Sequence, residues 1–359
     1  MVDTYVLWLT AFAAIVATVL IVCRAPHLPL PGPRRRFFIG SILEMARNHK
    51  RAVEWRMDMF KIYGSKTWGV TGPNIGYLSS RVIFIGDPKV VEHVLRGIDT
   101  YVRGPFYKAI LGDLIGNSFF TADGELWRFH RKVAVSMFSR NLLREGARIA
   151  RYHTGILVDA LKKTSDNRSS IEIQELFIAL TMDVFAEVAF DVKFHSIAAS
   201  ANKKPHPVAA AYDLCAGRLF ERLSSLFWKQ EKWLTTRGML NNKRENDVIA
   251  SMKVLNEFAD GVIAGKRRTA DAGGQLGEDL ISRFIERKRN DLSRAERESA
   301  SSAQIERADV VRDFGTQDLK DTLLTFIAAG RDSTSALLTW TFYELCRHPQ
   351  YQQKIREVL

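Results

Sequence analysis

The chain has 359 residues, 46% hydrophobic and 26% charged, with a formal net charge of +12. That apolar share belongs to a folded globular protein and excludes wholesale disorder and fibrous classes, while the length permits two domains or one large one. Three scattered cysteines (Cys23, Cys215, Cys346) and no C-x-x-C exclude a disulfide framework and a cysteine zinc site, and point to a reducing, cytosol-facing compartment. The basic excess suits an acidic partner, anionic lipid or nucleic acid without choosing among them.

From Thr4 to Cys23 the chain carries twenty residues without a charge. As a helix this run is about 30 Å long, the thickness of a bilayer's hydrocarbon core. The start is acidic (Asp3) and the bases follow the run (Arg24, then Arg34, Arg35 and Arg36), which is the reverse of a cleaved signal peptide. The positive-inside rule then predicts a single-pass signal anchor over 1–24, with all that follows in the cytosol, as at the endoplasmic reticulum. The segment 25–40 holds four prolines (Pro26, Pro29, Pro31 and Pro33), which forbids helix and predicts a stiff, extended hinge between anchor and globule. The remainder, 41–359, is expected to be one domain.

That remainder reads as mainly α with a small β part. Apolar residues at helical spacing predict a helix over 41–62 that stops at Gly64. Two short strands follow, Thr67 to Thr71 and Arg81 to Ile85, set apart by glycine and proline turn signals. Asp87-Pro88 caps a helix through Arg96. Further helices are predicted over 124–138, 141–163, 172–190, 208–228, 242–268 and 276–289, then a polar loop over 290–316. A last long helix runs from Thr316 to Arg347.

Several motifs fail. Gly261 to Lys266 (GVIAGK) is one residue short of a phosphate loop, and Arg267 stands where Ser or Thr is required. The eight histidines show no metal-ligand spacing. Bases alternate with acids along helix faces, which marks a solvated face and no nucleic-acid stripe. Asn167-Arg168-Ser169 matches a glycosylation acceptor but falls on the cytosolic side of the expected topology, so it is expected to be unmodified.

Two segments carry chemistry. In Ala329-Gly330-Arg331-Asp332-Ser333-Thr334, inside the last helix, small residues let a flat ligand approach the backbone. Ser333 can bond back to the Ala329 carbonyl and open the helix ladder, and a carboxylate and hydroxyl beside that groove can relay protons. A long core helix with a polar patch would look the same. In Asp123 to Lys132, Trp127 and Arg131 stand at i, i+4 on one helix face, two donors suited to a carboxylate; a surface Trp–Arg pair is the plainer alternative.

Taken together, PGP at 31–33, LGDLIGNSFFTADGELWRFHRK at 111–132, DLISRF at 279–284 and AAGRDSTSALLTW at 328–340 resemble the membrane-bound cytochrome P-450 family of haem-thiolate monooxygenases, over essentially the whole chain. The wording looks most like the fatty-acid ω-hydroxylase branch. The resemblance implies that Trp127 and Arg131 hold a haem propionate and that Ala329 and Gly330 lie over the distal haem face. It makes Asp332 and Ser333, with Thr334, the catalytic group that delivers protons to bound dioxygen. Ser333 stands where the family usually has Thr, and lacks the methyl that fixes the rotamer. The implied cofactor is haem, with NADPH acting only through a flavin reductase. The implied partners are that reductase, membrane lipid and an apolar substrate such as a fatty acid; Arg128, Lys132 and Arg140 suit docking of an acidic reductase.

The sequence departs from the family in its proximal half. None of the three cysteines lies in the glycine- and phenylalanine-rich loop that supplies the family's thiolate, so no metal ligand is assigned. E-x-x-R occurs five times (Glu44/Arg47, Glu125/Arg128, Glu145/Arg148, Glu286/Arg289, Glu344/Arg347), always upstream of where the family's copy falls. The expectation is a P-450 fold lacking its C-terminal haem-ligand region: a monooxygenase truncated before its cysteine ligand and inactive alone. The alternative is a non-catalytic, membrane-anchored helical interaction protein.

Overall fold

The computed structural model describes residues 28–358 except 38, 65, 73–80, 136–137, 169, 203, 205, 223–226 and 296–314. The apolar run 4–23, and with it the anchor expected over 1–24, lies outside them. Among the described residues no helix is long and apolar enough to cross a membrane. The chain divides into two compact units, one through Val102 and one from Arg103.

In the first unit the expected helix over 41–62 is two helices, α1 (Ile42–Arg47) and α2 (Ala52–Ile62), joined by a 3-10 turn at His49–Arg51. The break falls at Asn48, whose side-chain amide donates to the Glu44 carbonyl at 2.8 Å and competes with the helix ladder. Strands β1 (Trp68–Thr71) and β2 (Arg81–Phe84) pair antiparallel, Trp68 opposite Phe84 and Thr71 opposite Arg81. Trp68 is fully buried, stacked on Phe84 at 4.2 Å and met edge-on by Trp55 and Phe60. Helix α3 (Pro88–Arg96) begins as expected, the Asp87 carboxylate accepting from the Lys89 N–H at 2.8 Å.

The described residues of the proline-rich segment form no helix, but they are no free spacer. Gly69 N–H donates to the Pro31 carbonyl at 2.9 Å. The Arg35 guanidinium donates to the carbonyls of Leu28, Leu30 and Gly69. Gly32 is needed here, since a Cβ would stand 2.0 Å from the Gly69 carbonyl oxygen. Prolines exclude helix; the arginine then straps the extended chain onto β1.

The second unit is helical: α4 (Gly104–Ile115), α5 (Gly124–Val135), α6 (Arg140–Asp166), α7 (Ile173–Phe190), α8 (Ser196–Ala201), α9 (Pro207–Glu221), α10 (Trp228–Thr236), α11 (Lys243–Asp271), α12 (Leu280–Ala295), α13 (Thr316–Arg347) and α14 (Pro349–Val358). Its core gathers Phe190, Leu219, Leu255, Phe284 and Leu323 between α7, α9, α11, α12 and α13, with α13 lying along α7 and α9 along α11. Helix α13 keeps its expected ends. The helix expected over 208–228 ends instead at Glu221, and α10 starts at Trp228. Arg222 is drawn inward there, bidentate on buried Glu245, paired with Asp113 at 2.7 Å and stacked over Trp228 at 5.1 Å. GVIAGK lies within α11, where Lys266 pairs with Asp279 at 2.8 Å, consistent with helix rather than a phosphate loop.

Candidate functional site

The site is built around the middle of α13. At 100° per residue, Phe326, Ala329, Ser333, Leu337 and Trp340 share one stripe, while Ile327, Arg331 and Ser335 point the opposite way and are buried. The stripe opens to solvent along its length: Ala329 is half-buried and Ser333, Leu337 and Trp340 are exposed. Ser333 Oγ donates to the Ala329 carbonyl at 2.8 Å, the back-bond expected from the sequence. Its hydrogen is held there, so only the oxygen lone pairs face outward. Asp332 is held by the Arg331 guanidinium at 2.9 Å. Desolvation lifts its carboxyl above the usual range, opposed by Arg331 and reinforced by the charge of Asp213, although about half of the side chain (52%) remains exposed. Thr334 is exposed and its side chain makes no hydrogen bond among the described residues.

Gly330 has a neighbour that its sequence context does not reveal. A Cβ there would stand 2.0 Å from Cδ2 of Phe185 on α7, so the missing side chain admits an aromatic ring where two helices cross. Helix packing accounts for the glycine on that side.

Helix α5 brings the second segment to the same place. The Arg131 guanidinium lies over the Trp127 ring at 5.4 Å, so the two side chains share a face as the i, i+4 spacing requires. Arg131 is exposed and has no carboxylate partner among the described residues. Phe119 joins this pair to α13: its ring stands 6.4 Å from Trp127 on one side and 6.4 Å from Phe326 on the other. The loop carrying Phe119 is fixed to α13 as well. Asn117 N–H donates to Asp321 Oδ2 at 2.8 Å, and Thr325 Oγ1 donates to Ser118 Oγ. Gly116 turns the chain there at φ +48°, with no room for a Cβ against Asp321. Sequence reasoning missed Phe119 and Phe326; the one available signal was that Phe326 precedes Ala329 and Gly330 by one helical turn.

The other motif-like strings are structural in this fold. Of five E-x-x-R strings, four form i, i+3 ion pairs on helix surfaces: Glu44–Arg47, Glu125–Arg128, Glu145–Arg148 and Glu344–Arg347. Such exposed pairs contribute little. In DLISRF, Asp279 caps α12 through Ser282 N–H and Oγ, and Leu280, Ile281 and Phe284 are core. His130 is fully buried beside Thr322, and burial pushes its imidazole down to about 4.

The cytochrome P450 family profile matches residues 30–358. The chain belongs to that family. Similar curated proteins include cytochrome P450 704C1 of Pinus taeda (26% identical over 330 residues) and cytochrome P450 94B1 of Arabidopsis thaliana (27% over 328), each match taking in 89% of this chain and 57% of the other. Among solved structures, the haem domain of cytochrome P450DA superposes with a TM-score of 0.62 at 18% identity, over 91% of this chain and 62% of that one. This chain thus spans a little over half the length of the curated relatives it matches. P450s are a mainly helical fold with haem as cofactor, and electrons reach the haem from a reductase.

Haem can be tested against the residues present. A propionate needs donors with no acid already attached, and Trp127 with Arg131 meets that requirement. A porphyrin face needs a shallow, weakly polar surface, and the Phe326–Ala329–Ser333 stripe provides one. A thiolate is another matter. Cys215 is fully buried in the core and its thiol is pushed up to about 12 by burial, while Cys346 is exposed at the end of α13 and Cys23 lies outside the described residues. The described residues therefore fit one edge and one face of haem.

Proposed function

We propose that this chain carries the distal and propionate-binding part of a haem-dependent monooxygenase that inserts one oxygen atom from O2 into an apolar substrate, with a fatty acid hydroxylated at its chain end as the substrate class. The supporting observation is the continuity from the Trp127–Arg131 donors through Phe119 to the α13 stripe, which brings a carboxylate-binding pair and an acid–alcohol pair to one site. When bound, haem supplies the iron at which dioxygen is activated. Trp127 and Arg131 donate hydrogen bonds to a propionate and fix the ring's edge. Ala329 keeps the facing surface flat. Asp332 holds a proton that Ser333 passes on once its hydroxyl turns away from the Ala329 carbonyl. The fatty-acid class rests on the wording of the AGRDS and DGELW strings. A flavin reductase drawing on NADPH, docked at Arg128, Lys132 and Arg140, and an anchor over 1–24 in the endoplasmic reticulum membrane, complete the reading.

The test is the reduced carbon-monoxide spectrum of the native polypeptide, its length fixed by mass, beside an Arg131→Gln variant. A thiolate-type spectrum in a chain longer than 359 residues, with weakened haem retention in the variant, is the expected result. A native chain ending at Leu359 that binds no haem would instead favour a non-catalytic interaction protein. The exposure of Leu337 (67%) and Trp340 (64%) on the α13 stripe speaks for that second reading.

A further inference from the structure

We propose that Arg331 is a positioning residue that holds the carboxylate of Asp332, and that Asp213 on α9 determines how firmly it does so. The inference rests on the reading of Asp332 as a proton carrier. Neighbouring residues on a helix do not ordinarily face each other, so a contact between i and i+1 must be imposed from outside. Here the imposition is visible. Arg331 is buried, its side chain 2% exposed. Its Nη1 donates to Asp332 Oδ1 at 2.9 Å and its Nη2 to Asp213 Oδ2 at 2.7 Å. Its guanidinium lies 5.6 Å over the Tyr212 ring, and its carbonyl accepts from Thr181 Oγ1 of α7 at 3.0 Å. One cation is thus shared by two carboxylates on two helices.

Sharing makes the arrangement adjustable. The charged and titratable groups facing Asp332 are Arg331 on its own helix, and Asp213 and Tyr212 on α9. While Asp213 occupies Nη2, Asp332 has half of a fork that could hold it bidentately, and it feels a second negative charge nearby. If α9 moves and carries Asp213 away, both effects reverse and Asp332 is held more tightly in its ionised form. There is room for this: a cavity of about 720 Å³, lined by Ile178, Met182, Ser196, His206 and Ala210, opens beside the Arg331–Asp213 pair. The placement of α9 is thereby reported to the acid on α13.

The experiment is the titration of the Asp332 carboxyl by carbon-13 NMR in the full 359-residue chain, the signal assigned by its loss in Asp332→Asn. Asp213→Asn should move the Asp332 midpoint down by about one pH unit, and Arg331→Gln should move it up by a similar amount. Arg331→Lys should fall between wild type and Arg331→Gln. Asp213 is 57% exposed, so its variant keeps the test decisive even if the buried arginine cannot be replaced. An Asp332 midpoint unmoved by Asp213→Asn overturns the proposal. The proton-relay reading fails separately: if Asp332 shifts as expected while the haem-loaded Asp332→Asn enzyme couples oxygen to product normally, the clamp is upheld and the relay is lost.

Discussion

Replacing Gly330 with alanine separates the two reasons a glycine could stand in this helix. If it only keeps a flat surface for a ligand, alanine removes backbone freedom and should stabilise the chain by about 1 kcal/mol through helix propensity. The structure predicts the opposite. The new Cβ would stand 2.0 Å from Cδ2 and 2.2 Å from Cγ of Phe185, against an ordinary contact of 3.4–4 Å, so the ring must retreat by about 1.4 Å. Fully buried Phe190 packs edge-on against Phe185 at 5.9 Å and limits that retreat. Overpacking of this depth belongs at the upper end of the usual range, about 3 kcal/mol, leaving a net loss of about 2 kcal/mol after the propensity gain. The assay is urea unfolding followed by tryptophan fluorescence, in wild type and in a Phe185→Ala background. In that background Gly330→Ala should become stabilising by about 1 kcal/mol, a coupling energy of about 3 kcal/mol between the two sites. Equal stabilisation in both backgrounds would refute the packing argument and return the glycine to the ligand.

Two other perturbations follow from buried titratable groups. His130 is neutral in the fold, its imidazole lowered from 6.5 to about 4, so between those values the unfolded chain takes up a proton that the folded chain refuses. Stability should therefore fall by roughly 3 kcal/mol as pH drops from 6.5 to 4, with no contribution from this group above 6.5; an equal pH slope in His130→Gln, measured by urea unfolding, would contradict this. Arg222→Met takes the bidentate cation from Glu245, 2% exposed, leaves it Arg244 Nε at 3.1 Å, and should cost about 3 kcal/mol, the lower end for a broken buried pair. Most of that loss should return in Arg222→Met with Glu245→Leu, and a double variant no better than the single one would count against the buried pair.

What the sequence made legible is local. Both ends of α13, the Asp87 cap, the Trp127–Arg131 face and the Ser333 back-bond all depend on residues within a few positions of one another, where helical period and side-chain chemistry suffice. What it hid is distant in the chain. The Asn117–Asp321 bond spans 204 positions, the Arg331–Asp213 pair 118 and the Thr181–Arg331 bond 150. Helix α4 escaped for a different reason: GPFYKAILGDLI is apolar around most of its circumference, so no period stands out. The Pro31–Arg35 segment was legible as extended, but not as docked, because the carbonyls that Arg35 gathers carry no sequence signature.

The three consecutive residues Arg331, Asp332 and Ser333 show why the string itself is informative only on a helix. Successive positions turn by 100°, so each meets a different environment. Arg331 enters the interface between α7 and α9, Asp332 lies at its rim, and Ser333 reaches the outward stripe with Ala329. A cation placed inward can hold the acid beside it without standing in the site. The hydroxyl placed outward can meet a ligand without disturbing the core. Any insertion of one residue between Arg331 and Ser333 would keep the same chemical groups and rotate the hydroxyl away from Ala329, so spacing within the helix carries as much of the proposed chemistry as residue type.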